Sequence, residues 1–469
     1  MVFDSFVFAV FLVVVLGLYG LLRRRGQNIM LLAASYVFYG WWDWRFLSLL
    51  WISTLLDFAA GLWIHHARTQ RARRAWLIAS LCGNLGILGF FKYFNFFAAN
   101  LQAGLAAFGV QADPLYLDIV LPVGISFYTF QTMTYALDIY MGRMTPTRSL
   151  LNFALFVAFF PQLVAGPIER ARHLLPQIEA DRRPTRTMVY DGAWLILWGL
   201  YKKMFIADNV ARIVDQVYGA PGDFSAFHIM VATYAFAVQI YCDFSGYSDI
   251  AIGVGKLMGF DIMLNFRLPY FAKNPSEFWR RWHISLSDLL RDYLYIPLGG
   301  NRCGPWRQRF NLMATMTLGG LWHGAQWHFV VWGVYHGLLL AVYRPFRAAR
   351  DTVRETPAWM RTAAIVVMFH LTCVGWMLFR VRDIPDMFTI CGKMVGDWSV
   401  SSAALGDLAS LAGFSWLLVV MQLAQHLTGD LLVVRRLPAW ARAALYVILY
   451  LSLTLGGAFD DRPFIYFQF

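Results

Sequence analysis

Charge is what this sequence has least of. Asp, Glu, Lys and Arg make up 14% of its 469 residues, where a soluble domain carries about 25%. That deficit excludes a chain whose whole surface faces water, and a hydrophobic content of 59% agrees. Cysteine is also scarce, with five residues at 82, 242, 303, 373 and 391. An odd total without CxxC spacing excludes a disulfide framework and a zinc cluster. Cys82 and Cys373 lie inside apolar runs, where a thiol acts as a small hydrophobe. A Pro- or Ser-rich linker and an internal repeat are missing too, so residues 1–469 are expected to form a single domain.

Aromatic residues are abundant, at 17% with 19 Trp and 22 Tyr, and such rings favour the headgroup level of a bilayer. The formal charge of +12 raises the question of nucleic acid, and position answers it. Basic residues cluster in short loops between apolar runs, at Arg23 to Arg25, Arg68 to Arg74 and Arg170 to Arg186. This is the positive-inside pattern, and it points to membrane lipid as partner and to no nucleic acid. Asp4 precedes the first apolar run and three Arg follow it, the reverse of a signal peptide. Residues 5 to 22 are therefore expected to be a retained span with the N-terminus outside.

A spanning helix needs about 20 apolar residues. Runs of that kind fall at 5–22, 46–64, 76–98, 116–140, 188–206, 227–258, 311–342, 361–380, 409–427 and 440–458. The reading is an all-α polytopic membrane protein of about 10–11 membrane helices, with short interfacial or re-entrant helices besides. Runs 28–42 and 151–166 are short, and the second is expected to dip in without crossing. With that choice the loops around 68–74, 143–148 and 170–186 fall on the cytoplasmic face. Beyond residue 260 the chain is broken by Pro269, Pro275, Pro297 and Pro305 and by glycine pairs 299/300 and 319/320. Irregular backbone at membrane depth is tolerated where it is buried or lines a cavity, so a site is sought there.

The stretch from Asn274 to Tyr295 opens with a helix start signal: Asn274 as N-cap, Pro275 at the first position and Glu277 at the third. Phe278, Trp279, Trp282, Leu286, Leu289, Leu290 and Tyr293 then share one side, with Arg281, Ser285, Asp288 and Asp292 opposite. That predicts one interfacial amphipathic helix. Four-residue spacing stacks His283 with Ser287 and Arg291, and Arg280 lies three positions before it. Two readings stand side by side: an imidazole among guanidiniums that contacts an anionic donor or shuttles a proton, or arginines that hold lipid headgroups while His283 packs.

The run from Asn311 to Tyr343 carries His323, His328 and His336. His323 lies twelve residues in, ~18 Å along a helix axis, which predicts a position near mid-membrane. An ionisable residue at such depth is a functional candidate. Gly319, Gly320 and Gly324 flank it and would let a backbone or an acyl chain approach, with Trp322 and Trp327 as walls. The bland alternative is a histidine hydrogen-bonded between helices, which fits His328 and His336 better. Metal binding fails on spacing: His323 and His328 are five apart, about 140 degrees around a helix, with no HExxH.

DFSGYSD at 243–249 is not the GxSxG of a serine hydrolase. It puts Asp243 and Asp249 beside an apolar run, where buried carboxylates need partners; the arginines of 274–295 are the expected ones. NFRLPY at 265–270 and LGGNR at 298–302 set polar side chains and bare backbone at turns. Such turns bind phosphates or merely end helices.

Six segments together carry a resemblance. They are LPVGISFYTFQ at 121–131, FPQLVAGPI at 160–168, DFSGYSDIAIG at 243–253, EFWRRWHISLSDLLRDYLYIPLGGNR at 277–302, LGGLWHGAQWHFVVWGVYHG at 318–337 and the terminal FIYFQF. In this order they resemble the membrane-bound O-acyltransferase family, in its bacterial alginate O-acetyltransferase branch. The resemblance implies helices around a central tunnel in the bacterial inner membrane, with the active-site histidine deep inside, matching His323. A second catalytic histidine near the cytoplasmic mouth matches His283. In this reading His323 is the general base toward the accepting hydroxyl. Trp279, Arg281, Ser287, Arg291, Asn301, Arg302 and Trp322 are implied as donor or tunnel-lining contacts. No bound cofactor is implied. Acetyl-CoA is the implied donor, an exported polysaccharide the acceptor, and an outer-face acetyltransferase the partner.

Two alternatives remain in view. D-alanyl or another acyl transfer to a cell-envelope polymer uses the same parts. A polysaccharide or lipid-linked glycan transporter would also need broken helices, but it favours repeat symmetry, which the sequence lacks. A purely structural membrane subunit gives no reason for a deep His323.

Overall fold

The computed structural model describes residues 1–111, 113, 115–164, 166–350, 357–459 and 462–467, so Ala165 of the FPQLVAGPI segment and Gln468 and Phe469 of FIYFQF lie outside the described residues. Helices and loops account for all of these, and no strand occurs among them. Helix is the only solution open to a chain in lipid that does not close a barrel, because it satisfies every backbone N–H and C=O within one segment. Among the described residues, six helical stretches are long and apolar enough to cross a membrane: Arg24–His66, Gln70–Ala107, Ala226–Leu257, Ala358–Arg380, Ser402–Thr428 and Ala439–Gly456. The first holds two helices, Arg24–Asp43 and Leu47–His66, parted by a tight turn at Trp44–Phe46. The chain is a multi-pass membrane protein. It folds as two compact units, residues 1–193 with 251–263 and residues 194–250 with 264–469.

In the first unit the helix Phe6–Leu21 starts where the Ser5 hydroxyl accepts from the Phe8 N–H. The run at 151–166 forms the short helices Leu150–Ala158 and Phe160–Leu163. Nine residues reach only ~14 Å, too short to cross, and Phe153, Phe156 and Phe160 are fully buried. One buried polar cluster inside this unit is satisfied locally. The buried Asp57 carboxylate accepts from the Ser80 hydroxyl and from Asn84 Nδ2, and Asn84 Oδ1 accepts from Ser53 at 2.6 Å.

The second unit contains a π-helical turn, Tyr201–Ala207, that widens the helix at Lys202 and Lys203. Both ammonium groups are buried against Ala226–Leu257. Lys202 Nζ meets Asp249 at 2.7 Å and donates to Ser245 at 2.8 Å. Lys203 Nζ meets Asp208 at 2.9 Å and Asp243 at 3.0 Å. The carboxylates of DFSGYSD thus pair with two lysines, not with the arginines of 274–295 as the sequence suggested. The physical reason is reach: Arg281 is engaged by Glu277 at 2.7 Å, and Arg291 by Asp288 at 2.6 Å and Asp292 at 2.8 Å.

Two expected helices are each divided. The stretch 274–295 is not one amphipathic helix but Pro275–Trp279, then Ile284–Leu290, then a π-helical turn Arg291–Tyr295. Its predicted start is present: Asn274 Oδ1 accepts from the Glu277 N–H, and Glu277 reaches back to the Lys273 N–H at 3.0 Å. The break falls at His283, whose φ of 42° is left-handed, a strained choice for a non-glycine residue. One side of this stretch is covered, with Phe278, Trp282, His283 and Leu286 all buried, while Arg280 and Arg291 are exposed. The run 311–342 is likewise two helices, Pro305–His323 and Trp327–Arg350. His323 is therefore the last residue of a helix at the bend of a hairpin, not a mid-helix residue. The bend follows from Gly324, where a Cβ would stand 2.1 Å from the Phe329 ring. Small residues then let the arms close: a Cβ at Gly320 would lie 2.2 Å from the Phe329 carbonyl, and one at Gly333 2.4 Å from that of Met316.

Candidate active site

The hairpin bend delivers His323 to the wall of a cavity of about 210 Å³. Trp279, Ser287, Leu290, Thr315, Gly319 and Trp332 line it too, as do Arg291 and Tyr295. The lining is almost wholly apolar, with hydroxyls only from Ser276, Ser287, Thr315 and Tyr295. The Ser287 hydroxyl donates to the Trp282 carbonyl at 3.2 Å and that of Thr315 to the Asn311 carbonyl at 2.7 Å, so each oxygen keeps lone pairs for a guest. Arg291 is half-exposed, so the cavity reaches the protein surface there.

His323 is walled by aromatic rings. Its centroid lies 5.0 Å from Trp322, 5.0 Å from Trp332, 5.3 Å from Phe379 and 5.4 Å from Tyr466. His283 is fully buried, with Phe244 at 4.7 Å, Trp322 at 5.9 Å and Tyr466 at 6.4 Å. Trp322 and Tyr466 are thus shared between the two imidazoles. His283 is absent from the cavity lining and sits behind that wall. Its neighbourhood is fixed by Asn265, whose carbonyl oxygen on the backbone accepts from the Ile284 N–H at 2.9 Å and whose side chain accepts from the Ser285 hydroxyl at 2.7 Å.

The structure brings His323, Trp279, Ser287 and Arg291 to one cavity, with Trp322 against both histidines. Arg281 stands apart, bound to Glu277 and to the Arg267 and Leu268 carbonyls; it pins a turn. Asn301 lies outside the cavity lining, where its side-chain oxygen accepts from Tyr295 at 2.7 Å and from Arg344 at 2.9 Å. Arg302 is exposed on the same loop. His328 bonds Gln326 at 2.5 Å, and His336 packs among Phe278, Trp279 and Trp332; neither lines the cavity.

Four contributors were not singled out from sequence. Trp332 was hidden in a run of apolar residues, although its nine-residue distance from His323 becomes contact once the chain turns at Gly324. Tyr295 and Arg344 lie 49 residues apart, and nothing local announces that they meet. Tyr466 belongs to a segment recognised only as a motif. It arrives because the Ile465 N–H donates to the Asp243 carboxylate at 2.7 Å and Lys203 donates to the Arg462 carbonyl at 3.3 Å.

A histidine at a helix end, facing a water-poor cavity that leads to the surface, suits proton transfer during attack on a bound acyl group. Residues 145–381 match the model of the MBOAT, membrane-bound O-acyltransferase family, a stretch that contains His283, His323 and the whole cavity lining. A protein of Azotobacter vinelandii named "Probable alginate O-acetylase AlgI" is 43% identical over 91% of this chain and 85% of its own length. One of Pseudomonas putida with the same name is 39% identical over 100% of both chains. The peptidoglycan O-acetyltransferase of Helicobacter pylori is 34% identical over 86% of this chain and 81% of its own. With a helical membrane fold, a family match across the site and relatives aligned over most of their lengths, this chain belongs to the membrane-bound O-acyltransferase family and is an O-acyltransferase.

Proposed function

We propose that this enzyme takes an acetyl group from acetyl-CoA on the cytoplasmic side and passes it toward hydroxyls of an exported polysaccharide of the alginate kind. The observation that carries the reading is the position of His323, buried yet bordering an apolar cavity whose lining also includes the half-exposed Arg291. The acceptor class is carried over from the alginate O-acetylase relatives. The basic loops favour a bacterial inner-membrane setting with the N-terminus periplasmic, and a protein on the outer face as the relay to the polysaccharide. The whole chain acts as one functional unit.

In this mechanism His323 is the catalytic base. Its imidazole takes the proton from the accepting hydroxyl as the oxygen attacks the thioester carbonyl. The new C–O bond forms, the C–S bond breaks, and the proton passes from the imidazolium to the departing thiolate. Base catalysis of this kind is worth about 10²–10⁴-fold. Trp279, Ser287, Arg291 and Trp322 shape the space for the donor. His283 is a positioning residue that holds the Trp322 and Tyr466 wall. Arg302 and Asn301 serve on the Tyr295 side of the cavity, and Arg281 serves the fold around it.

The test is transfer of radiolabelled acetyl from acetyl-CoA by membranes carrying the wild type or His323→Ala, with candidate polysaccharides and the relay protein present. Label reaching polysaccharide with the wild type alone is expected. Equal labelling would remove His323 as base. Labelling from a D-alanyl carrier instead of acetyl-CoA would move the donor to the second acyl class.

A further inference from the structure

Asp57 sits at the middle of the helix Leu47–His66, ~15 Å from its start at 1.5 Å per residue, inside a stretch apolar enough to cross a membrane. Its side chain is fully buried. So are those around it: Ser53 one turn earlier on the same face, Ser80 and Asn84 on Gln70–Leu88, and Thr132 on Ile125–Tyr140. The carboxylate accepts from the Ser80 hydroxyl and from Asn84 Nδ2 at 2.8 Å, and the Thr132 hydroxyl reaches it as well. Beside it, Ser53 Oγ lies 2.6 Å from Asn84 Oδ1 and 3.2 Å from Thr132 Oγ1, which is itself 3.4 Å from Asn84 Oδ1. Close packing holds this arrangement. A Cβ at Gly61 would stand 2.6 Å from the Tyr135 ring, and one at Gly83 2.5 Å from the Leu56 side chain, so both glycines let the three helices close around the cluster.

Hydrogen bonds satisfy these atoms, yet nothing cancels the charge. Every partner of Asp57 among the described residues is a neutral hydroxyl or amide. Other buried carboxylates in the molecule are treated differently. Asp249, Asp208 and Asp243 each meet a lysine within 3.0 Å, and Asp138, on the same helix as Thr132, meets Arg143 at 3.4 Å. An anion at membrane depth without a counter-charge is costly and marks a functional site. The groups gathered at Asp57 also share one chemistry, since carboxylate, hydroxyl and amide carbonyl oxygens are the ligands of hard cations. A hydroxyl oxygen keeps lone pairs while it donates, and Thr132 has the Thr129 carbonyl at 3.1 Å to take its proton. One carboxylate supplies one negative charge, which balances a monovalent cation and leaves a divalent one uncompensated.

We propose that Asp57, with the oxygens of Ser53, Ser80, Asn84 and Thr132, binds a sodium ion. The ion cancels the buried charge and ties together the helices Leu47–His66, Gln70–Leu88 and Ile125–Tyr140 of the first unit. Site size discriminates between cations, and oxygens held within 3.4 Å of one another favour sodium over the larger potassium. The site stands apart from His323 and makes no use of the acyl donor.

The experiment follows thermal unfolding of the full chain in detergent at neutral pH, with sodium chloride exchanged stepwise for potassium or choline chloride at constant ionic strength. A ligand that binds only the folded state raises the unfolding temperature with its concentration. The wild type is expected to gain stability along a saturable curve in sodium and to respond far less to potassium. Asp57→Asn is expected to lose the sodium response, whatever its own unfolding temperature. Thr132→Val removes one ligand and is expected to raise the half-saturating sodium concentration at least about tenfold. Radioactive sodium is expected to stay with the wild type through gel filtration and to be lost from Asp57→Asn. Equal unfolding temperatures in the three salts overturn the proposal and leave a proton as the companion of the carboxylate. A sodium response that Asp57→Asn keeps overturns it as well, because the ion would then lie elsewhere.

Discussion

Two sets of buried ionisable side chains within the second unit have opposite surroundings. Lys202 and Lys203 are met by Asp249, Asp208 and Asp243 at 2.7 to 3.0 Å, an arrangement in which each buried charge is compensated. His283 and His323 are instead walled by Phe244, Trp322, Trp332, Phe379 and Tyr466, and His323 faces a cavity. The lysine pairs hold helices together and present nothing to a ligand. The imidazole of His323 borders a cavity instead. Burial alone therefore does not mark a reactive group; the open side does.

The comparison breaks most sharply at His323. His323→Ala is expected to lower kcat by about 10²–10⁴-fold, with the detergent-solubilised variant unfolding at the wild-type temperature. Activity retained in a folded variant would take the base away from this residue and equate the two sets after all.

The reverse outcome is expected at Lys203. Lys203→Met leaves Asp208 and Asp243 without their cation, and removing one partner of a buried pair costs about 3–5 kcal/mol. Thermal unfolding in detergent should show a large downward shift, together with poor recovery of folded protein. A variant as stable as the wild type would mean that these charges carry no structural load. Asp243 also receives the Ile465 N–H, so this lesion should loosen the segment that brings Tyr466 to the histidines.

A smaller effect is expected from the hairpin that presents His323. Gly320→Ala would set a methyl 2.2 Å from the Phe329 carbonyl, forcing the arms apart at an overpacking cost of about 1–3 kcal/mol. Its mark should be a modest drop in unfolding temperature together with a fall in kcat, because the bend moves with the arms. An unchanged kcat would show that the position of His323 does not depend on this contact.

The sequence carried much of this and missed it in identifiable places. The helix start at Asn274 and Pro275 was legible because capping is a local hydrogen bond. The short run at 151–166 was legible because length alone bounds a span. The hairpin was not, since 311–342 reads as one apolar run and the bend needs the Phe329 ring against Gly324, a contact that composition does not announce. The left-handed backbone at His283 and the lysine partners of Asp243 and Asp249 were hidden for the same reason. Each is settled by a neighbour distant in sequence, and a π-helical turn at 201–207 leaves no periodic signal. His323, by contrast, stood out at once as an ionisable residue between glycines in an apolar stretch.

His328 tests whether proximity in sequence to His323 means anything for chemistry. It is at least as buried, at 3% exposure against 4%, and it sits just past the same bend. Its ring is nevertheless bonded to Gln326 at 2.5 Å and tilted against Phe329 at 4.0 Å, and it does not border the cavity. His328→Ala therefore removes one hydrogen bond, worth about 0.5–1.5 kcal/mol, and some packing against Phe329. The expected result is a slightly lower unfolding temperature and acetyl transfer per folded molecule within about twofold of wild type, given how little such a bond contributes to a site it does not border. A folded but inactive His328→Ala enzyme would assign the proton transfer to the wrong side of the bend, and would require the cavity, not only the residue, to be redrawn.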